Sequence, residues 1–236
     1  MPTRRDAEPL TRSVEDYLKT IYELARDGDA AATTEIAARL RVAPASVSGM
    51  VRRLAAQGLV TVARYKGARL TPRGRRAALQ LLRRHRILEV FLVTQLGYGW
   101  DEVHDEAERL EHAASPALVE RMAAALGHPV ADPHGAPIPS ADGRVDDSRL
   151  QTVNDLAPGE RARVMRLSDR DPALLRDLAG LGIRPGVELR LVSRAPFEGP
   201  LTVEVAGVPH ALGASLTGQL FITKITPSAP RTGRRR

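Results

Sequence analysis

The chain has 236 residues, of which 43% are hydrophobic, 3% are aromatic and none is cysteine, and its formal net charge is +7. This length and apolar content suffice for one large domain or for two to three small ones. The lack of cysteine excludes disulfides, thiolate zinc sites and cysteine nucleophiles, and no apolar run is long enough to cross a bilayer.

The first residues, MPTRRDAEPLTRS, contain no apolar stretch of the kind that forms a signal peptide. Together with the missing cysteines, this predicts a cytoplasmic protein without a membrane partner. The aromatic residues are too few for a protein that holds single-stranded nucleic acid by stacking.

Apolar residues recur at helical spacing in three segments of the first 60 residues, and a hairpin follows them. The predicted helices cover 13–26, opened by Ser13, then 35–40, and then 44–57, opened by Pro44. LVTVAR and ARLT are predicted strands joined by the turn YKG. This order predicts a winged helix-turn-helix, in which the second helix enters the major groove of double-stranded DNA.

Small polar and basic residues occupy the positions of this motif that would face DNA. Hydroxyl groups on the second helix allow close approach to bases or phosphates, and arginines add phosphate contacts. The candidate DNA-binding residues are Ser46, Ser48, Arg52 and Arg53 on the helix and Arg64, Lys66 and Arg69 on the wing. Because no Asn, Gln or Lys stands early in the helix, DNA shape and phosphate contacts are expected to carry much of the specificity. A winged helix used as a protein–protein module, with solvated arginines, is the alternative.

Charge is segregated along the chain. Residues 36–88 contain thirteen arginines and lysines and no acid, whereas acids gather in DEVHDEAERLEH, residues 101–112. A GC-rich genome also enriches arginine, but it does not explain why acids vanish from one interval. The pattern predicts a polyanion partner for the first segment and a cation partner for the second.

Further helices are predicted over 72–96, capped by Thr71, over 101–113 and over 116–126. Within the helix 101–113, four metal-binding side chains fall inside about a quarter of the circumference: His104, Glu108, Glu111 and His112. They lie beside an apolar stripe formed by Val103, Ala107, Leu110 and Ala114. Carboxylates and imidazoles beside a buried face repel or desolvate one another unless a cation joins them, which indicates a divalent metal site. A solvated acidic face with incidental histidines is the alternative.

The composition changes after residue 126. The segment 127–144 is rich in Pro, Gly and Asp and is predicted to be a linker or an extended crossing segment. Beyond residue 150, short strands punctuated by glycine enclose one helix over 171–182 and predict a small antiparallel barrel or sandwich. The tail PSAPRTGRRR is expected to be disordered and basic. The histidines of loop and barrel segments are expected to be structural: His128, His134 and His210.

An enzymatic function has weaker support from the residues. The sequence has no GxSxG motif, no P-loop, no dinucleotide-binding glycine fingerprint and no HExxH motif. A metallohydrolase-like enzyme or a carrier, in which the His and Glu cluster activates water or holds an ion, is kept as the alternative to a regulator.

Three stretches, SVEDYLKTIYEL, RRHRILEVFL and VHDEAERLEH, resemble the metal-dependent repressors of the diphtheria toxin repressor family. The resemblance covers residues 13–226 in the family's three-domain order, and LLRDLAGLGIRPGVELRLV is similar to the SH3-like domain shared with small ferrous-iron transport proteins. It implies a fold that is mainly α with a small β part. The implied divisions are a winged helix-turn-helix DNA-binding domain over 1–74, a helical metal-binding and dimerisation domain over 75–146, an SH3-like β-barrel domain over 147–227 and a disordered basic tail over 228–236.

The resemblance also implies the partners. A homodimer would bind double-stranded operator DNA when loaded with Mn(II) or Fe(II) and would repress metal-homeostasis genes. The apolar helices over 75–96 and 116–126 would form the dimer core, or would pack internally.

The family's metal sites map onto residues of this chain. The first implied site consists of Asp16, Glu108, Glu111 and His112. The second consists of His85, Glu89 and His104, with Asp171 as the acid added by the SH3-like domain. Lys19 stands where short manganese-sensing members have a further glutamate, and Leu174 stands near the place of a glutamine ligand.

Ligand chemistry within the resemblance favours manganese. Iron-sensing members use a thioether and a thiol where this chain has Asp16 and Glu108. Carboxylates in place of soft sulfur shift the preference toward Mn(II), although Fe(II) also accepts His and carboxylate ligands. We therefore expect Mn(II) as the cofactor, with Fe(II) as the second choice.

Overall fold

The computed structural model describes residues 10–25, 30–63, 67–146, 148, 150–169 and 171–225. The chain divides into two compact units. The first unit consists of residues 1–88, 107–130 and 138–147, and the second consists of residues 89–106, 131–137 and 148–236. Among the described residues no helix has the length and apolar character needed to span a membrane.

The first unit begins with the predicted winged helix-turn-helix, which the structure confirms. Its helices and strands are α1 (Arg12–Leu24), α2 (Thr33–Leu40), α3 (Pro44–Ala56), β1 (Val60–Ala63) and β2 (Gly67–Leu70). Strands β1 and β2 pair antiparallel. The predicted cap at Ser13 is wrong, because α1 starts one residue earlier and follows Thr11, whose side chain makes no capping bond.

Three further helices follow the hairpin: α4 (Pro72–Leu96), α5 (Val103–Leu110) and α6 (Pro116–Ala125). Helices α4 and α5 each contribute residues to both units. Helix α4 begins where it was predicted to, because the Thr71 hydroxyl accepts a hydrogen bond from the backbone N–H of Gly74 and donates to the carbonyl of Gly58. Helix α5 is shorter than the predicted 101–113.

The core of the first unit is mainly aliphatic, in keeping with the low aromatic content, and it includes Tyr17 and Tyr22. Val14, Leu18 and Ile21 recur at helical spacing on α1 and are at most 2% exposed. They pack in one cluster with Ile36 of α2 and Leu54 of α3. Each such fully buried side chain stabilises the fold by about 1.5–3 kcal/mol, so this cluster fixes α1 against the two helices of the DNA-binding motif.

The second unit contains a six-stranded antiparallel sheet with the strand order β3-β8-β4-β5-β6-β7. The strands are β3 (Gln151–Thr152), β4 (Arg161–Leu167), β5 (Glu188–Arg194), β6 (Leu201–Val205), β7 (Val208–Leu212) and β8 (Leu220–Lys224). The inserted helix predicted over 171–182 is α7 (Pro172–Gly180), and a short α8 (Ala214–Thr217) precedes β8. Alternate residues of β6 are buried, which is the pattern of a sheet with one face on the core.

Residues 131–137 form a tight loop in the second unit, where a linker or crossing segment was predicted. The Asp132 carboxylate accepts hydrogen bonds from the backbone N–H groups of His134 and Ala136, both at 2.9 Å. The carbonyl of His134 accepts from the N–H of Leu167 on β4 at 2.9 Å. The predicted disordered tail over 228–236 lies outside the described residues.

Candidate metal centres and DNA-binding face

Four side chains of α1 and of the segment 108–112 converge in the first unit. Asp16, Glu108, Glu111 and His112 each offer one ligand atom, and these atoms all lie within 4.8 Å of one another. We call this set the first centre. It combines three carboxylates with one imidazole, a donor set suited to Mn(II) or Fe(II).

The ring of His112 is oriented by Glu15, which the sequence reasoning missed. His112 Nδ1 lies 2.7 Å from Glu15 Oε2 and donates to it, so in the neutral imidazole Nε2 presents its lone pair to the centre. Nε2 lies 3.3 Å from Asp16 Oδ1 and is buried without a hydrogen-bond partner among the described residues. A lone pair that faces a carboxylate in a buried place is repulsive, and a cation between them removes the repulsion. The first centre therefore fits a divalent ion.

Glu111 is the most enclosed acid of the first centre, at 2% exposure. His85 Nδ1 donates to its Oε2 at 2.7 Å, and Lys19 Nζ donates to its Oε1 at 2.9 Å. Burial alone would raise the pKa of Glu111, but the hydrogen bond from His85 and the charge of Lys19 outweigh it and lower the pKa to about 2. Glu111 is thus charged throughout the physiological pH range.

Lys19 also donates to Glu108 Oε1. Burial alone would lower the pKa of Lys19, but the Glu111 and Glu108 carboxylates outweigh it and raise the pKa. Burial raises the pKa of Asp16. The first centre therefore holds a buried ammonium among its carboxylates.

A second cluster lies in the second unit. Glu89, His134 and Asp169 each offer one ligand atom, and these atoms lie within 4.8 Å of one another. We call them the second centre. His104 Nδ1 adjoins it, at 3.2 Å from Glu89 Oε1 and 3.5 Å from Asp169 Oδ2. Two carboxylates with neighbouring imidazoles again make a site for a borderline or hard divalent ion.

His134, which was predicted to be structural, lies among the residues of the second centre, which could hold a metal ion. Its Nε2 lies 2.6 Å from the backbone carbonyl of Trp100, which only accepts, so Nε2 carries the proton. Its Nδ1 is fully buried and has no hydrogen-bond partner among the described residues. Nδ1 is therefore available to a metal ion, with the ring held by stacking on Trp100 at a centroid distance of 5.8 Å.

Asp171, the acid assigned by resemblance to the second metal site, is not among the residues of the second centre. It is the N-cap of α7, and its carboxylate accepts from the backbone N–H groups of Ala173 and Leu174. Asp169, two residues earlier, is the acid that lies in the second centre. Of the other residues predicted for that site, Glu89 and His104 adjoin each other in the second unit, and His85 contacts Glu111 in the first.

The apolar stripe predicted over 103–114 is correct at Val103, Ala107 and Ala114, which are buried, and wrong at Leu110, which is 39% exposed. Glu111, next to Leu110, is buried in its place. The carboxylate of Glu111 is thus buried next to a leucine that is exposed, the reverse of what hydrophobicity alone would predict.

Helix α3 presents the predicted DNA-binding residues to solvent. Ser46, Ser48, Arg52 and Arg53 are exposed, as is Arg69 on β2. Within the part of the chain that the structure describes, neither Arg52 nor Arg53 pairs with a carboxylate, and Arg52 Nε donates to the Ser48 carbonyl of its own helix. Uncompensated guanidinium groups on an exposed helix suit phosphate contacts. Arg64 and Lys66 lie outside the described residues.

Trp100 is the chain's single tryptophan and offers a direct report on the second centre. We expect Mn(II) to quench its fluorescence, because a paramagnetic ion at His134 would lie beside the stacked indole. His134→Ala should abolish the quenching, whereas Glu108→Gln, in the first centre, should leave it. Equal quenching in the His134 variant and in the unchanged protein would argue against His134 as a ligand.

Comparison with known proteins places three family models along the chain. Residues 9–68 match the iron dependent repressor N-terminal DNA binding domain, residues 71–140 match the iron dependent repressor metal binding and dimerisation domain, and residues 151–224 match the FeoA domain. The FeoA match agrees with the SH3-like assignment of the C-terminal sheet.

Relatives match over most of their length. The iron-dependent repressor IdeR of Mycobacterium bovis is 32% identical over 220 residues, which are 86% of this chain and 95% of the relative. The diphtheria toxin repressor of Corynebacterium efficiens is 35% identical over 195 residues, with coverage of 78% and 84%. A solved structure described as a manganese-dependent transcriptional repressor in complex with manganese is 42% identical, with a TM-score of 0.83, and the match covers 90% of this chain and all of that one.

Proposed function

The chain belongs to the iron-dependent repressor family, and on that premise we propose that it is a transcriptional repressor whose DNA binding is controlled by Mn(II) or Fe(II). The observation that carries the proposal is the first centre, in which Asp16 of α1 meets Glu108, Glu111 and His112. The buried lone pair of His112 Nε2 among these carboxylates supports a cation as the intended ligand.

The first centre connects the metal to the DNA-reading helix through packing. A bound divalent ion would supply the positive charge that its carboxylates and His112 require. Asp16 lies on α1, which packs against α2, and α2 packs against α3. The position of α1 therefore biases the position of α3, which carries Arg52 and Arg53. By linkage, DNA must tighten metal binding by the factor by which metal tightens DNA binding.

Mn(II) is the metal we propose first. Neither centre contains a sulfur ligand among its described residues, and carboxylates with imidazole favour Mn(II) over softer ions. The manganese complex among the similar structures supports this choice. Fe(II) accepts the same donors, and iron-dependent relatives keep it as the second choice.

We further propose a homodimer that binds double-stranded operator DNA in the cytoplasm and represses genes of metal homeostasis. The dimerisation-domain match over residues 71–140 supports the dimer, and the DNA-binding-domain match over 9–68 supports the DNA partner. The same matches support the proposed division at 1–74, 75–146 and 147–227.

A fluorescence-anisotropy titration against a random duplex library tests the proposal. At fixed salt, Mn(II) is expected to strengthen DNA binding by about 5–150-fold, the usual size of an allosteric coupling, and to select a palindromic sequence. Binding should weaken steeply as salt rises, because phosphate contacts dominate. Metal binding without any change in DNA affinity would favour the alternative, a metal-binding enzyme or carrier.

A further inference from the structure

Lys19 places a positive charge directly against two carboxylates of the first centre. Its Nζ contacts Glu108 Oε1 and lies 2.9 Å from Glu111 Oε1, and its side chain is 11% exposed. An ammonium ion in this place satisfies the same negative charge that a divalent metal would satisfy. Lys19 therefore bears on how readily the first centre takes up metal.

We infer that Lys19 is an internal competitor of the metal ion, which raises the metal concentration at which the first centre fills. The inference rests on the proposed metal-responsive function and names the residue that sets its threshold. Lys19 is proposed as neither a catalytic residue nor a metal ligand.

The contacts of Glu111 show why the two cations compete for one oxygen. Oε2 of Glu111 is held by His85 Nδ1 at 2.7 Å, whereas Oε1 faces both Lys19 Nζ, at 2.9 Å, and His112 Nε2, at 3.7 Å. An ion bound by His112 Nε2 and Glu111 thus approaches the oxygen that already accepts from Lys19. Glu108 adds a second shared carboxylate.

Electrostatic repulsion determines the direction in which Lys19 changes metal affinity. Two positive charges on one carboxylate oxygen in a largely buried place repel strongly, so metal uptake requires the ammonium to move or lowers the affinity of the site. Conversely, without a metal the ammonium offsets the repulsion among Glu108, Glu111 and Asp16. Lys19 should therefore stabilise the metal-free protein and weaken metal binding at the same time.

This pair of opposite effects separates competition from an ordinary structural ion pair. Removing a structural ion pair lowers stability and leaves metal affinity unchanged or weaker. Removing a competitor lowers the stability of the metal-free protein and strengthens metal binding. Arg39, whose Nη2 donates to Glu23 at 2.8 Å, provides a matched ion pair between α2 and α1 outside the centre.

The test is calorimetric titration of the full chain with Mn(II), with and without Lys19→Met. Both proteins also carry His134→Ala, which is expected to remove Mn(II) binding at the second centre. We expect Lys19→Met to bind Mn(II) about tenfold more tightly or better, the effect of removing one nearby like charge. Thermal unfolding with a chelator should show a lower midpoint for this variant. Arg39→Met should lower the midpoint and leave Mn(II) affinity unchanged.

Unchanged or weaker Mn(II) binding in Lys19→Met would overturn the inference. Should the methionine variant fail to fold, Lys19→Gln keeps hydrogen-bond donors without the charge, and the same increase in Mn(II) affinity is expected of it. Anisotropy measurements with DNA keep the two claims apart. Tighter Mn(II) binding without a response of DNA affinity would refute the proposed function and leave the competition standing.

Discussion

Glu111→Gln is expected to weaken Mn(II) binding at the first centre by about 100-fold or more and to abolish metal-stimulated DNA binding. Losing a group that merely orients a ligand costs about 10–100-fold in metal affinity. We expect at least the upper end of this loss for Glu111, because it is proposed as a ligand itself. The substitution keeps the shape of the side chain while removing the charge that Lys19 Nζ and His112 Nε2 both face. Calorimetry with Mn(II) and anisotropy with operator DNA measure the two effects.

A matched control comes from Glu120, which pairs with Arg83 at 3.0 Å on the surface of the first unit. Glu120→Gln removes the same charge outside both centres, so it should leave Mn(II) affinity and metal stimulation unchanged. A surface pair of this kind contributes at most about 1 kcal/mol to stability. The assignment of Glu111 fails if its variant retains full stimulation by Mn(II) while remaining folded by circular dichroism.

Gly135→Ala is expected to lower the free energy of unfolding by about 3 kcal/mol or more and to remove Mn(II) binding at the second centre. Gly135 has a φ of +85°, and a Cβ there would lie 2.0 Å from the carbonyl oxygen of Met165. The loop over 131–137 would have to move away from β4. His134, whose carbonyl accepts a hydrogen bond from the N–H of Leu167 on β4, would move with this loop. Urea denaturation and the Mn(II) response of Trp100 fluorescence measure both losses.

Gly186 provides a control that separates the cost of backbone strain from the cost of the steric clash at Gly135. It has a similar φ of +92°, but no atom lies within 4 Å of its Cβ position. Gly186→Ala should therefore cost only the strain, about 1 kcal/mol, and should preserve the Trp100 response. If the two alanine variants lose equal stability and both keep the response, the close approach to Met165 does not hold the second centre.

Residues whose position follows from local rules were predicted well from the sequence. Helix α4 has the predicted bounds because Thr71 and Pro72 fix its start by capping and by a preset φ, and both act within a few residues. Glu108, Glu111 and His112 lie on one side because near-helical spacing continues into the turn after α5, where the N–H of Glu111 donates to the carbonyl of Ala107 at 2.9 Å. The order of helices and hairpin likewise follows from apolar periodicity, which reports burial directly.

The resemblance to metal-dependent repressors, carried by short stretches of sequence, added Asp16 to the first centre, 92 residues before Glu108 in the chain. No periodicity links positions that far apart, so residue spacing alone left Asp16 an ordinary acid of a helix's first turn. The fold joins them because the buried stripe of α1 fixes which side of that helix faces the core.

The helices, the hairpin, the strand-rich C-terminal part and the acidic cluster over 101–112 could be predicted from the sequence, because each depends on neighbours within a turn or two. Asp171 is held by a local cap on the first N–H groups of α7, whereas the placement of Asp169 beside Glu89 and His134 depends on the tertiary structure. The tertiary structure likewise brought His134 into the second centre from an aperiodic loop and placed Lys19 on Glu108 and Glu111. His134 and Asp169 are 35 positions apart in the chain, and Lys19 and Glu111 are 92 apart. Long-range packing, which leaves no periodic trace in the sequence, brings such residues together.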